Sequence, residues 1–313
     1  MQSIVAGQVV IMFVLICLGI LCSKTGIFTE NATGPCTDLL LLVVAPAIII
    51  GRFLRPMESG SLRLVLLSAA VVIGANLLAI GLSVLLIRKR EGTRYSVERV
   101  AASACNAGFI GIPLVTAALG EEAMIYAAIF VALFQIFTWT FWAKELGGDR
   151  YQITAKKLLV NPPIISIAVG FACILLHITL PSLAITALDY LANLNTGLSM
   201  LIMGVFLSNL KPRELLLDRH ALWALFLRLV LIPAAIVGVL HLLGAAGGWG
   251  EGAYTAVMAD VIGCSCPSAV LVILMSKRTG RCDPRYGASL VAASTALSLL
   301  TLPLLVGFAE KML

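Results

Sequence analysis

The chain has 313 residues, of which 60% are hydrophobic and only 12% are charged, and its mean hydropathy is +1.03. Because a soluble domain carries roughly a quarter charged residues, this composition excludes a soluble globular protein and indicates an integral membrane protein. The net charge of +6 does not indicate nucleic-acid binding, because the basic residues lie in short loops between apolar segments, where they act as topology signals.

Ten apolar segments follow one another along the chain, and most approach the ~20 residues with which a helix crosses a hydrocarbon core. Backbone polar groups in lipid must be paired inside a segment, and the alternation typical of barrel strands is not seen, so these segments are predicted to be helices. The first lacks a preceding basic region, so no removable signal peptide is expected. The predicted spans are residues 4–24, 36–54, 62–87, 98–119, 122–142, 158–180, 187–208, 219–243, 253–276 and 286–309.

Lys and Arg are distributed unevenly between the two sides that alternate along these spans. Seventeen follow spans one, three, five, seven and nine, four fall on the other side, and Arg228 lies inside a span. By the positive-inside rule, the basic loops are cytoplasmic and both termini are extracytoplasmic. We expect a multi-pass protein of the plasma membrane, which in a bacterium is the inner membrane.

A short pattern occurs in the fourth span of each half of the chain. Asn106 precedes Pro113 by seven positions, and Asp260 precedes Pro267 by the same interval. Each half holds five spans, an odd number, so the second half enters the membrane in the opposite sense. This arrangement of inverted repeats is common among transporters.

The predicted organisation therefore has three parts. Residues 1–147 form the first five-helix repeat, residues 148–157 a short cytoplasmic loop, and residues 158–313 the inverted second repeat. The fold class is an all-α integral membrane protein of ten transmembrane helices.

Helices four and nine are expected to be broken. A proline inside a helix removes a hydrogen bond, Gly108 and Gly111 loosen the fourth span further, and freed carbonyl groups in lipid need a partner. Two breaks that meet at mid-membrane would form one polar site between the repeats. The alternative for Pro113 and Pro267 is an ordinary proline kink, but the symmetric pair with Asn106 and Asp260 favours the site.

Two charged side chains lie inside predicted spans. Asp260 is costly in lipid, and the hypothesis is that it binds a proton or cation coupled to transport, with Asn106 beside it. The alternative is a carboxyl group held by hydrogen bonds for helix packing. Arg228 either supplies positive potential for an anionic substrate, pairs with Asp260, or extends its long side chain toward the cytoplasmic headgroups.

Neutral polar groups complete the predicted site. Asn76 and Gln135 are candidates to line it, although each is more often an interhelical hydrogen bond, and Cys266 and Ser268 flank Pro267. We expect no metal, since the cysteines lack the roughly four ligands of a closed zinc site. No nucleophile with its base and no Walker sequence is recognisable, so we expect neither an enzyme nor a bound organic cofactor.

Several stretches of the chain resemble the auxin efflux carrier family, which includes the plant PIN carriers and bacterial malate/malonate-type permeases. The stretches are L-G-I-L-C-S-K-T-G-I-F-T-E near the N-terminus, L-L-L-L-V-V-A-P-A-I-I-I with Pro46, C-P-S-A-V in the ninth span and S-T-A-L-S-L-L-T-L-P-L in the tenth.

The resemblance implies the ten-helix fold of bile-acid transporters and sodium/proton antiporters, with helices four and nine broken at prolines that match Pro113 and Pro267. It also implies a scaffold of helices one, two, six and seven, often a dimer surface, and a transport domain of helices three to five and eight to ten that moves as an elevator. The long cytosolic loop of plant members is missing here.

The expected function is secondary active or potential-driven transport of a small organic anion, such as malate, malonate or an auxin-like acid, with H⁺ or Na⁺ as a coupling ion. Two alternatives stay open: a cation/proton antiporter on the same fold, and a non-transporting membrane sensor.

Overall fold

The computed structural model describes residues 1–55, 61–152, 162–176, 180–208, 218–245 and 252–313, with the single positions 160, 178, 247 and 250. Seven of its helices are long and apolar enough to cross a membrane, and the shorter helices Ala107–Leu119 and Ala253–Ser265 are also apolar. The described part of the chain forms no β-strand, only one isolated bridge. The seven are Gln2–Lys24, Asn31–Phe53, Leu62–Leu86, Glu121–Gly147, Ser182–Ser208, Arg219–Leu242 and Pro284–Met312.

The α-helices are numbered in chain order. They are α1 (Gln2–Lys24), α2 (Glu30–Leu39), α3 (Ala45–Phe53), α4 (Ser61–Leu86), α5 (Arg94–Ser103), α6 (Ile112–Leu119), α7 (Met124–Phe137), α8 (Ala143–Gly147), α9 (Pro162–Leu175), α10 (Ser182–Ser208), α11 (Arg219–Phe226), α12 (Ile232–Leu242), α13 (Ala253–Ser265), α14 (Leu271–Thr279) and α15 (Pro284–Met312).

The predicted fourth and ninth spans are not single helices. The fourth consists of α5 and α6 with a π-helical turn before α6, and the ninth consists of α13 and α14. Parts of the predicted sixth span and of the loop 148–157 lie outside the described residues. The count of ten spans and the inverted repeat stay predictions.

Three prolines inside helices are accommodated by π-helical turns. The turns Leu40–Val44, Ala107–Gly111 and Leu227–Leu231 each end two residues before a proline, and these prolines are Pro46, Pro113 and Pro233. A π turn bonds each N–H to the carbonyl group five residues back, so the carbonyl that would clash with the ring is displaced. The expectation that the fourth helix breaks at Pro113 is therefore wrong, because Pro113 is the second residue of α6, which follows such a turn directly.

α1 and α10 pack backbone to backbone around Gly204. A Cβ atom added at Gly204 would lie 2.3 Å from the carbonyl oxygen of Ile16 and 2.6 Å from the Cα of Gly19. Small residues permit this approach, which is a common way to pack helices in lipid. The two helices thus form one tightly joined pair beside the interrupted segments.

Candidate functional site

The two interrupted segments meet where each loses its helical conformation. Cys105 and Ser268 face each other in an antiparallel bridge. The Asn106 N–H donates to the Pro267 carbonyl oxygen at 2.8 Å, and the Ala269 N–H donates to the Ala104 carbonyl oxygen at 2.9 Å. Each segment therefore donates one hydrogen bond and accepts one, as two strands related by a local two-fold axis would.

The two breaks have different local causes. Proline disfavours the helical conformation of the residue before it, and Cys266, which precedes Pro267, is extended at φ −61° and ψ 152°. The break after α5 contains no proline, yet Ala104 is extended at φ −88° and ψ 117°. The bonds to Pro267 and Ala269 are what hold this second break open.

This geometry corrects the symmetry drawn from the sequence. The bridge relates Cys105 to Ser268, so Asn106 corresponds in position to Ala269 and not to Asp260. Asp260 lies inside the continuous helix α13, six residues before Cys266. The shared seven-residue interval to a proline does not mark equivalent positions in the two segments.

Arg228 stabilises the C-terminal ends of both helices that lead into the breaks. Its side chain is buried, with 2% of the residue exposed. Nη1 donates to the carbonyl oxygens of Ala102 at 3.4 Å and Ser103 at 3.2 Å, and Nη2 donates to that of Cys264. The last carbonyl groups of a helix lack partners within it and carry negative partial charge, so one guanidinium compensates two helix ends.

These contacts decide between the alternatives for Arg228. A buried side chain that donates to carbonyl groups at the breaks does not extend to the headgroups, so that alternative is wrong. No ion pair joins it to Asp260 among the described residues, and it lines neither cavity described below. Its observed contacts are with the backbone.

Asp260 is fully buried in α13. The Ser68 hydroxyl of α4 donates to its Oδ1 at 3.1 Å, while Oδ2 has no hydrogen-bond partner among the described residues. A buried carboxyl oxygen without a partner is energetically costly. The carboxyl group of Asp260 therefore lacks one polar contact among the described residues.

A small cavity, here called the amide cavity, lies beside the break after α5. Its volume is about 60 Å³, which is room for a few water molecules. Its polar lining is uncharged and comes from Thr37, Asn106, Gln135 and Asn195. The Asn106 Nδ2 is buried and has no partner in the described part of the chain, so one amide donor is available.

A larger cavity, here called the charged cavity, lies next to it and has a volume of about 580 Å³. Ile112 and Asn195 line both cavities. Two ion pairs are in the charged cavity: Arg52 Nη2 lies 2.8 Å from Glu121 Oε2, and Arg55 Nη2 lies 2.6 Å from Asp189 Oδ2. A charged compartment therefore adjoins one lined by neutral amides.

The predicted site residues fall into three groups. Asn106, Gly108 and Gln135 line the amide cavity, and Pro113 lines the charged one. Other predicted residues lie at the crossing or on neighbouring helices, outside both linings. These are Asn76, Gly111, Arg228, Asp260, Cys266, Pro267 and Ser268.

The contacts of this last group are structural. Asn76 donates to Val72 in its own helix at 2.8 Å, and the Ser268 hydroxyl donates to the Ala101 carbonyl oxygen at 2.7 Å. The Cys266 thiol donates to Ile262 at 3.3 Å. A Cβ atom at Gly111 would lie 3.4 Å from the Cys266 Sγ, so Gly111 permits the close packing of the two segments.

Sequence reasoning missed the four charged residues of the charged cavity. Arg52 and Arg55 were interpreted as topology signals only. They are two of the four basic residues on the side that the positive-inside rule leaves poor in charge, and this rarity was the available signal. Thr37 of the amide cavity gave no signal, because it is one of several polar residues in α2 and nothing in the sequence distinguishes it from the others.

Comparison with known proteins agrees with this architecture. The family model described as membrane transport protein matches residues 4–152 and 149–306. An uncharacterized transporter of Methanothermobacter thermautotrophicus is 26% identical over 298 residues, which cover 93% of this chain and 94% of that protein. The multi-pass helices and the match across nearly the whole length show that the chain belongs to the membrane transport protein family, the family of the auxin efflux carriers.

Proposed function

We propose that the protein is a secondary carrier of small organic anions that works by alternating access across the plasma membrane. The observation that carries the proposal is the amide cavity, where an unpaired Asn106 amide lies beside two interrupted helices. Segments that resume as helices after a break present N-terminal N–H groups without intrahelical partners, and those ends attract anions.

The lining of the amide cavity favours an anion over a cation. No carboxylate lies among its described lining residues, and its polar groups include the side-chain amides of three residues, Asn106, Gln135 and Asn195. The adjoining charged cavity holds Arg52 and Arg55, and guanidinium groups suit carboxylates. The substrate class is therefore small carboxylates such as malate, malonate or an auxin-like acid.

The proposed movement is an elevator in a protein of ten spans arranged as two inverted repeats. The scaffold comprises α1, residues 31–53, α9 and α10, with homodimerisation through this part, and the remaining helices carry the site. The tight packing of α1 on α10 at Gly204 supports a rigid scaffold. In this arrangement both termini are extracytoplasmic, and the charged cavity opens on that side because Arg52 lies in the last turn of the second span.

The proposed coupling ion is H⁺ or Na⁺, bound at Asp260. The support is the buried Oδ2 without a partner and the single Ser68 contact. The same observation favours a second candidate function, a cation/proton antiporter in which Asp260 carries the transported ion. Substrate competition separates the two, because only an anion carrier exchanges one carboxylate for another.

Counterflow in proteoliposomes tests the proposed function. The purified protein is reconstituted into liposomes, and these are loaded with unlabelled malonate, malate, acetate or indole-3-acetate. Uptake of the labelled acid is then followed with and without sodium or pH gradients. Labelled carboxylate should accumulate only in liposomes that contain protein and internal carboxylate. Sodium or proton exchange without carboxylate counterflow would favour the antiporter, and no flux of either kind would leave a non-transporting sensor.

A further inference from the structure

The Arg52–Glu121 ion pair joins two parts of the protein that the proposed mechanism separates. Arg52 lies in the last turn of α3, in the proposed scaffold. Glu121 lies in the short turn that follows α6, at the end of the first interrupted segment. Because an elevator displaces that segment along the scaffold, this pair must break in each transport cycle.

The two partners differ strongly in exposure. The Arg52 side chain is 11% exposed, while that of Glu121 is 65% exposed. A hydrated carboxylate leaves an ion pair at little cost, since such pairs contribute about 0–1 kcal/mol. The Arg52 guanidinium is largely shielded from water, so without its carboxylate partner it favours another anion. Arg52 is therefore the fixed partner and Glu121 the exchangeable one.

The second pair of the charged cavity does not cross this boundary. Arg55 follows α3 and Asp189 lies on α10, so both belong to the proposed scaffold. A third pair, Arg278 with Asp38 at 2.8 Å, does cross it, joining α14 to α2, but neither residue lines a cavity. Arg52–Glu121 alone among these three both spans the boundary and lies in a space that a solute can reach.

We propose that a substrate carboxylate replaces Glu121 on Arg52, and that this exchange releases the interrupted segment for movement. The inference rests on the proposed function and adds a recognition residue and a release step to it. The incoming carboxylate can bind a guanidinium through two parallel hydrogen bonds. Glu121 thus acts as an internal competitor that holds the segment while the charged cavity is empty of anions.

The exchange predicts opposite effects for the two partners. Without the Glu121 charge, Arg52 is available at all times, so malonate should bind about fivefold more tightly, since apparent affinity scales with the available fraction. Without the Arg52 charge, malonate should bind at least about tenfold more weakly. Glu122 offers a matched control, because it is exposed, adjacent and outside the charged cavity.

The test measures malonate affinity of the full-length protein in nanodiscs by titration calorimetry, for wild type, Glu121→Gln, Glu122→Gln and Arg52→Gln. Arg52→Lys, which keeps the charge but lacks the two parallel donors, replaces it if Arg52→Gln does not purify as a monodisperse protein, and it should also bind malonate more weakly than wild type. Uncharged malonamide is titrated in parallel. The expected result is tighter malonate binding by Glu121→Gln only, weaker binding by Arg52→Gln, and no change for malonamide.

Equal malonate affinity of Glu121→Gln and Glu122→Gln would overturn the exchange, as would a gain that malonamide shares or a lack of malonate binding by wild type and Glu121→Gln alike. The failure of the proposed function is a different result, namely a wild-type protein that moves no carboxylate in proteoliposomes. Normal carboxylate flux together with an unchanged malonate affinity of Glu121→Gln would support the proposed function and contradict only the exchange.

Discussion

The side-chain amide of Asn195 donates a 2.8 Å hydrogen bond to the carbonyl oxygen of Gly108. Asn195 lies on α10, beside the tight contact with α1, and Gly108 lies in the π-helical turn that follows the break after α5. The bond satisfies one backbone carbonyl of the interrupted segment from a different helix. Asn195 itself lies at the boundary between the amide cavity and the charged cavity, because it lines both.

Replacement of Asn195 by Ala should weaken substrate binding by about fivefold. A hydrogen bond between helices in a membrane contributes about 1 kcal/mol, and Asn195 lines both cavities. The half-saturating concentration for carboxylate counterflow is the measurement. Thr186→Ala on the same helix is the control, since Thr186 is exposed, lines neither cavity and donates its hydroxyl hydrogen bond to Ser182 within α10; equal effects of the two variants would contradict the prediction.

Arg228→Lys should lower the free energy of unfolding by about 2 kcal/mol, and Arg228→Gln by more. An ammonium group is a point charge that does not reproduce the planar fork of donors, and hydrogen bonds to charged groups contribute about 1.5–3 kcal/mol each. Thermal unfolding in detergent measures the loss. Arg219→Lys, at an exposed position of α11, should unfold like the wild type, and a similar loss there would argue against the role of the two helix ends.

Asp260→Asn should abolish the dependence of flux on the coupling-ion gradient while the protein stays folded. The amide keeps the shape of the carboxyl group and its contact with Ser68, but it neither binds nor releases a proton. Uptake is compared with and without pH and sodium gradients. Ser68→Ala should shift this dependence. Ser83→Ala should not, because the Ser83 hydroxyl donates to Ile80 within its own helix. Gradient-driven uptake by Asp260→Asn would refute the coupling role.

Gly204→Ala should destabilise the protein by about 1–3 kcal/mol, the usual range for overpacking. The added methyl group would meet the backbone at Ile16 and Gly19, which cannot rotate away. Gly197→Ala on the same helix meets nothing within 4 Å and should be neutral or stabilising. Thermal unfolding of both variants checks the difference, and equal midpoints would exclude close packing as the cause.

Cys282 should react slowly with maleimide at neutral pH. Burial raises the pKa of this thiol, against the opposing effect of the Arg281 guanidinium, and only the thiolate is reactive. A raised pKa means less thiolate at pH 7, so the rate should keep increasing at pH values where an ordinary thiol has levelled off. A variant with Cys282 as its only cysteine is labelled before and after denaturation in SDS, and identical rates would contradict the prediction.

Hydropathy predicted the long helices well. The expected spans 62–87, 219–243 and 286–309 correspond to the observed spans Leu62–Leu86, Arg219–Leu242 and Pro284–Met312. The bilayer requires a certain length of apolar residues, and this length can be read directly from the sequence. These boundaries therefore needed no tertiary information. The family resemblance is confirmed by the match to the family model.

The breaks were harder to predict than the helices. Pro267 has a local effect that can be read from the sequence, because it restricts Cys266. The break at Ala104 depends on hydrogen bonds to residues more than 160 positions away, and no local pattern encodes it. Pro113 does not break its segment, because a π-helical turn accommodates the proline ring. Whether the predicted residues contact substrate stays a prediction.

The crossing of the two segments is asymmetric in one chemical respect, because only one of its breaks contains a proline. Pro267 disfavours the helical conformation of Cys266 whatever the first segment does. The first segment, at Ala104, Cys105 and Asn106, contains only residues that a helix accepts, and its partners across the crossing keep it extended. One half of the crossing is therefore favoured by its own sequence, and the other persists only while its partner remains in register.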